Sequence, residues 1–183
     1  MKRTVLVFGI LSGLIATAMM WLTLPFMHRG VINFKNGEVI GYTSIFLSLL
    51  LVFFGIRSYR ENHGGTISFG RAFSVGILIT LISCCFYVAS WLVIYYNFMP
   101  DFMDRYAAHV IQTMTQAGAS DAALKAKQIE LTSMKEMLKN PLINAAMTFI
   151  EPFPVGLVMT LVSAGILRRR APGAPKTAAA AIA

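Results

Sequence analysis

Charge is scarce in this chain: across 183 residues, Asp, Glu, Lys and Arg make up 13%, against 56% hydrophobic residues. A soluble domain carries about 25% charged residues, so an ordinary water-facing surface is excluded. Cysteine is scarcer still. Cys84 and Cys85 are adjacent, which is not the spacing of a redox pair or a metal site, and both read as small packing residues. His28, His63 and His109 fall in three separate segments between apolar runs. The second is expected across the membrane from the others, so no metal centre collects all three. There is no phosphate-cradling loop, since Gly64-Gly65 is followed by Thr66 where such a loop needs lysine, and no nucleophile elbow or zinc-protease helix. No cofactor is expected.

What is present is four long apolar runs, at about 5–27, 39–56, 72–99 and 142–167. A helix needs about 20 apolar residues to cross roughly 30 Å of hydrocarbon, and only helices or closed barrels satisfy the backbone in lipid. The runs lack the short alternating segments of a barrel. They predict an all-α fold, a bundle of four transmembrane helices whose first partner is the lipid bilayer, in one membrane domain over 1–170.

The net charge of +8 invites a nucleic-acid reading, but the position of the basic residues removes it. Lys2 and Arg3 precede the first run, Arg57, Arg60 and Arg71 lie between the second and third, and Arg168, Arg169 and Arg170 follow the fourth. Cytoplasmic flanks collect Lys and Arg, so both termini are expected in the cytoplasm, in a bacterial inner membrane, with no nucleic-acid partner. Ala16, Thr17 and Ala18 resemble a signal-peptide cleavage site after a basic start. The apolar run continues through Met19, Met20, Trp21 and Leu22 to Met27, which favours an uncleaved helix.

Between the third and fourth runs, residues 101–139 are polar and carry no net charge. Pro100 and Pro141 bound this segment and Gly118 divides it, so it reads as an exported helical hairpin, with Ser120 as N-cap of its second helix. Leu124, Leu131, Met134 and Leu138 form an apolar stripe on that helix. The stripe faces the first hairpin helix through Phe102, Tyr106 and Val110, or else a neighbouring subunit or the membrane surface. The segment 171–183 reads as a disordered cytoplasmic tail.

Small residues recur every four positions: Gly9, Gly13 and Thr17; Ala72, Gly76, Thr80 and Cys84; Gly156, Thr160 and Ala164. Such stripes let helices approach closely in lipid, within one chain or between copies. Glu151 is the candidate functional residue, because an ionisable group inside a span is costly. Counting back from Leu167 places it about 5 Å inside the hydrocarbon at ~1.5 Å per residue. Pro152 and Pro154 follow it and break the helix. Its carboxylate could accept bonds from Trp91, Tyr95 or Tyr96, as a structural interfacial residue, or serve a proton or substrate. No second intramembrane charge is expected as its partner.

Three groups of residues resemble a bacterial integral-membrane family catalogued as domain of unknown function 4199. They are Gly64, Gly65, Ile67, Ser68, Phe69, Gly70, Ala72, Phe73 and Gly76; Tyr96, Asn97, Pro100, Asp101, Phe102 and Tyr106; and Glu151, Phe153, Pro154, Gly156 and Leu157, closed by Arg168 to Arg170. The resemblance covers Met1 to Arg170 and implies a four-helix inner-membrane protein with an exported helical segment. It implies no activity. The expectation is a non-enzymatic accessory or scaffold protein that binds a partner or a second copy of itself. The alternative is an oligomeric transporter or channel for a small solute or ion, using Glu151.

Overall fold

The computed structural model describes residues 1–29 and 32–169, without the side chains of His28 and Lys35. The tail expected over 171–183 lies outside the described residues. Seven α-helices run in the order α1 (Lys2–His28), α2 (Phe34–Glu61), α3 (Phe69–Val93), α4 (Phe102–Gln116), α5 (Asp121–Leu138), α6 (Pro141–Phe149) and α7 (Pro152–Leu167), with a π-helical turn, Ile94–Phe98, continuing α3. Four helical stretches are long and apolar enough to cross a membrane: Lys2–Met27, Asn36–Glu61, Phe69–Phe98 and Pro141–Leu167. The protein is therefore a multi-pass, all-α membrane protein.

Local chemistry sets the helix ends. Asn33 caps α2 by accepting from the Asn36 backbone N–H, and α2 outruns its apolar stretch at the far end, where Arg57 and Glu61 pair at 2.8 Å across one turn. Ser68 caps α3. Between them Gly64 and Gly65 turn the chain at φ +74° and +73°, a left-handed backbone that favours glycine. Gly118, at φ +78°, does the same between α4 and α5, and Ser120 caps α5 by accepting from Ala123. The fourth span is divided: α6 ends at Phe149 and α7 begins at Pro152, because Pro152 and Pro154 cannot donate to the preceding turn.

The bundle inverts the pattern of a soluble protein. Leu6, Leu22, Leu47, Phe54, Val158 and Ile166 point outward, as lipid-facing side chains do. Buried between the helices are small and hydroxylated residues: Ser12, Ser48, Thr80, Ser83, Thr160 and Ala164. The glycines mark the closest crossings. A Cβ on Gly9 would lie 2.9 Å from Ile82, on Gly13 2.6 Å from Phe86, and on Gly76 2.8 Å from Thr160. On Gly156 a Cβ would fall inside van der Waals contact of Thr80, and on Gly55 inside that of Ile79. All these contacts lie within one chain.

Hydroxyls close the same seam. Ser12 donates to the Ser48 carbonyl at 2.8 Å, and since its one proton is committed there, Ser83 is the donor in the 3.0 Å Ser12–Ser83 contact. Thr80 and Thr160 meet at 3.2 Å.

These crossings fill one half of the bundle, where Val5, Leu49, Val52, Ile56, Tyr59, Ile67, Val75, Ile79 and Leu167 form a continuous core. Its end is sealed by backbone bonds in both directions between Ile67 and Arg169 at 3.0 Å and by Arg60, which donates to the Leu167 carbonyl at 3.4 Å. Lys2, Arg3, Arg57, Arg60, Arg71, Arg168 and Arg169 gather at this end.

Gly156→Ala is expected to cost about 1–3 kcal/mol, the usual range for overpacking. Gly165, on the same helix, has open space where its Cβ would stand, so Gly165→Ala should be neutral or stabilising by up to about 1 kcal/mol. Thermal unfolding of both variants in detergent checks the contrast.

Candidate functional site: a cavity beneath the hairpin

In the other half α1 stays packed on the end of α3 through Leu24, Ile94 and Met99, but the helices as a group leave space among them. A cavity of about 820 Å³ opens between them, and six helices supply its walls, one stripe each. From α1 come Ala16, Met20, Thr23 and Met27; from α2, Glu38, Gly41, Tyr42 and Ile45; from α3 and the π-helical turn that continues it, Tyr87, Trp91 and Tyr95; from α6 and the break after it, Asn144, Met147, Thr148 and Glu151. The spacing of three and four residues is that of one helical face. The α4–α5 hairpin forms the roof through Phe102, Tyr106, His109, Val110, Met134 and Leu138. α7 contributes no lining residue.

Three helical irregularities lie in this half: Pro25 inside α1, the π-helical turn after α3, and the α6–α7 break. Each interrupts a regular hydrogen-bond ladder.

The hairpin docks on its own bundle. Leu131 and Leu138 are buried, and Leu138 clusters with Tyr95, Met103, Trp91, Tyr106 and Met134. The Tyr96 hydroxyl donates to the Leu138 carbonyl at 2.7 Å. At the surface, Lys135 on α5 pairs with Asp104 on α4. The hydrogen bond to that carboxylate raises the lysine above its ordinary value of 10.5, opposed by burial. A raised value means that the lysine's share of the attraction is fully present below the ordinary lysine range and is lost as pH climbs through the raised one.

Asn144 is the most enclosed polar side chain of the site, 1% exposed. Its Oδ1 accepts from the Trp91 indole N–H at 3.2 Å and from the Thr148 hydroxyl at 3.2 Å, and its Nδ2 lies 3.5 Å from the Tyr96 hydroxyl. One amide thus ties α6 to α3 and, through Tyr96, to the hairpin.

Glu151 stands at the break between α6 and α7 and accepts from the Tyr87 hydroxyl at 2.9 Å. Its partner is neither Trp91, Tyr95 nor Tyr96: Trp91 is engaged by Asn144 and Tyr96 by Leu138. Glu38, at the first turns of α2, lines the same cavity, so a second carboxylate shares the space that the sequence assigned to Glu151 alone. His109 also lines it, stacked on Phe34 with ring centroids 5.3 Å apart. His63 sits at the opposite, basic end, stacked on Tyr59. Among the described residues no three His, Cys, Asp or Glu side chains converge as metal ligands. Cys84 is buried and Cys85 exposed.

Gly9, Gly13, Gly76 and Gly156 lie at helix crossings in the packed half, while Pro152 and Pro154 open α7 at the cavity's edge. Sequence reasoning missed Glu38, Tyr87 and Asn144 as site residues. A signal existed for two of them: Tyr87, Trp91 and Tyr95 recur every four residues, and Asn144 is a lone amide inside an apolar run. Glu38 gave none, because a charge at the end of a span reads as its boundary.

A four-span helical bundle, packed at one end and hollow beneath a helical roof at the other, defines a multi-pass membrane protein with a largely apolar cavity. The chain belongs to the family described as Protein of unknown function (DUF4199), which matches residues 7–169. No curated protein and no solved structure matches it.

Asn144→Leu leaves the Trp91 and Thr148 donors without their acceptor and is expected to cost about 1–3 kcal/mol, read as a lowered unfolding midpoint in detergent. Leu138→Ala should cost about 2–5 kcal/mol and free the hairpin for proteolysis near Gly118. Lys135→Gln should leave proteolysis unchanged, because an exposed pair contributes little.

Proposed function

We propose that this protein is a non-enzymatic membrane protein that holds an apolar or amphipathic small molecule in the cavity beneath the α4–α5 hairpin. The observation that carries the reading is the cavity itself. Its roughly 820 Å³ falls within the range of about 300–1,000 Å³ typical of small-molecule sites, and its walls are largely apolar with a few convergent polar groups.

The lining is adaptable. Seven of the chain's 11 methionines border the cavity: Met19, Met20, Met27, Met103, Met114, Met134 and Met147. Methionine is unbranched and polarisable, and it suits surfaces that receive ligands of varied shape. Thr23, Asn144, Thr148 and the tyrosines supply polar contacts at fixed points.

The packed half argues for a pocket over a pore. The lining stops at Ala16, Ile45, Tyr87 and Glu151, and beyond them Gly55, Gly76 and Gly156 bring helices into contact. The apolar stripe of the hairpin is spent on its own bundle, which weakens the case for that stripe as a scaffold surface. By the distribution of Lys and Arg, the basic end faces the cytoplasm with the N-terminus, and the cavity and hairpin face the outside of a bacterial cytoplasmic membrane.

Gly41 lines the cavity, and a Cβ there meets nothing within 4 Å. Gly41→Phe is therefore expected to put its ring into that space. In nanodiscs of zwitterionic lipid, and in a Trp21→Phe background, the neutral probe N-phenyl-1-naphthylamine is expected to quench Trp91. Gly41→Phe should weaken that binding by about tenfold or more with an unchanged unfolding midpoint. Equal quenching in both proteins would sink the proposal.

A further inference from the structure

We infer that the occupant of the cavity is an amphipathic organic cation, an ammonium or comparable delocalised cation on an apolar body; the inference rests on the cavity being a binding site. The chain carries 16 basic residues against 8 acidic ones. The cavity reverses that balance: Glu38 and Glu151 line it, and no Lys or Arg does among the described residues. Both glutamates are exposed residues that border a space walled by methionine and aromatic side chains, and negative charge there attracts a cation and repels an anion.

The aromatic side chains stand where such a cation would need them. Tyr87, Trp91 and Tyr95 form one stripe of α3 and the π-helical turn that continues it, and Tyr42 follows Glu38 by one turn of α2. Ring faces attract cations, most strongly organic ones that shed water readily. Two of these rings are held in place by their polar edges, Tyr87 on Glu151 and Trp91 on Asn144, so the rings are oriented before a ligand arrives. Glu151 has one bond, from Tyr87, and no ion pair among the described residues. It has oxygen capacity left for a cationic head.

A bare metal ion fits the site poorly. The carboxylates come from α2 and from the α6–α7 break, and the described residues place no third carboxylate, thiol or imidazole with them as a ligand set. Hard cations need several converging oxygens, whereas a delocalised cation needs negative charge and aromatic side chains around one space, and both kinds of group line this cavity.

The test is a charge series of similar shape: tetraphenylphosphonium, neutral triphenylphosphine oxide and tetraphenylborate. Each is measured by equilibrium dialysis against the full-length protein in zwitterionic nanodiscs, with empty nanodiscs subtracted. The cation is expected to bind about tenfold or more tighter than the neutral oxide, and the anion weakest. Glu38→Gln and Glu151→Gln together should bring cation and oxide to within about threefold of each other, the cation losing more affinity than the oxide. The wild-type series alone decides the matter if the double variant does not fold. Equal binding of all three probes, or preference for the borate, overturns the inference and leaves the cavity reading standing. Absence of binding above empty nanodiscs by any of the three overturns both.

Discussion

The close approach of helices around Gly9, Gly13, Gly55, Gly76 and Gly156 is the constraint on which the rest of the structure depends. Lipid offers no hydrophobic drive to bring one apolar helix onto another, so association rests on contact area and interhelical hydrogen bonds. Missing Cβ atoms create the first and the hydroxyls of Ser12, Ser83, Thr80 and Thr160 supply the second. Among the described residues every buried side-chain polar atom finds a partner, so the polar seam carries no unsatisfied burden. α3 is the spine of this arrangement, packed along α1, α2 and α7.

That seam occupies one half of the bundle, and the hollow half is its counterpart. There methionine and aromatic side chains from several helices line a cavity, beside which α1 still packs on the end of α3 through Leu24, Ile94 and Met99. Pro25, the π-helical turn and the paired prolines after Glu151 bend or interrupt three of the four spans in the same region. The roof is bound through Leu138, Tyr95 and Met103 and through hydrogen bonds that converge on Asn144 and Tyr96.

Seven Lys and Arg side chains gather with Glu61 at the sealed end, the hairpin carries balanced charge, and Glu38 and Glu151 line the cavity beneath it. The proposed function and occupant rest on this arrangement: a pocket bounded by the packed half, with carboxylates and aromatic side chains in its walls.

The four spans, the helical hairpin between the third and fourth, the Ser120 cap and the proline break were all legible in the sequence. Each follows from local chemistry: run length against bilayer thickness, a hydroxyl ahead of a helix, a ring in place of an N–H. The glycine stripes were legible as close-packing surfaces, but not which residue each would meet. That Gly156 faces Thr80, that Glu151 pairs with Tyr87 and leaves Tyr96 to Leu138, and that Glu38 joins Glu151 in one cavity were decided by the tertiary structure. Helical periodicity tells which residues share a face; the rotation and tilt of each helix against its neighbours, set by steric fit along the whole seam, decide what that face meets.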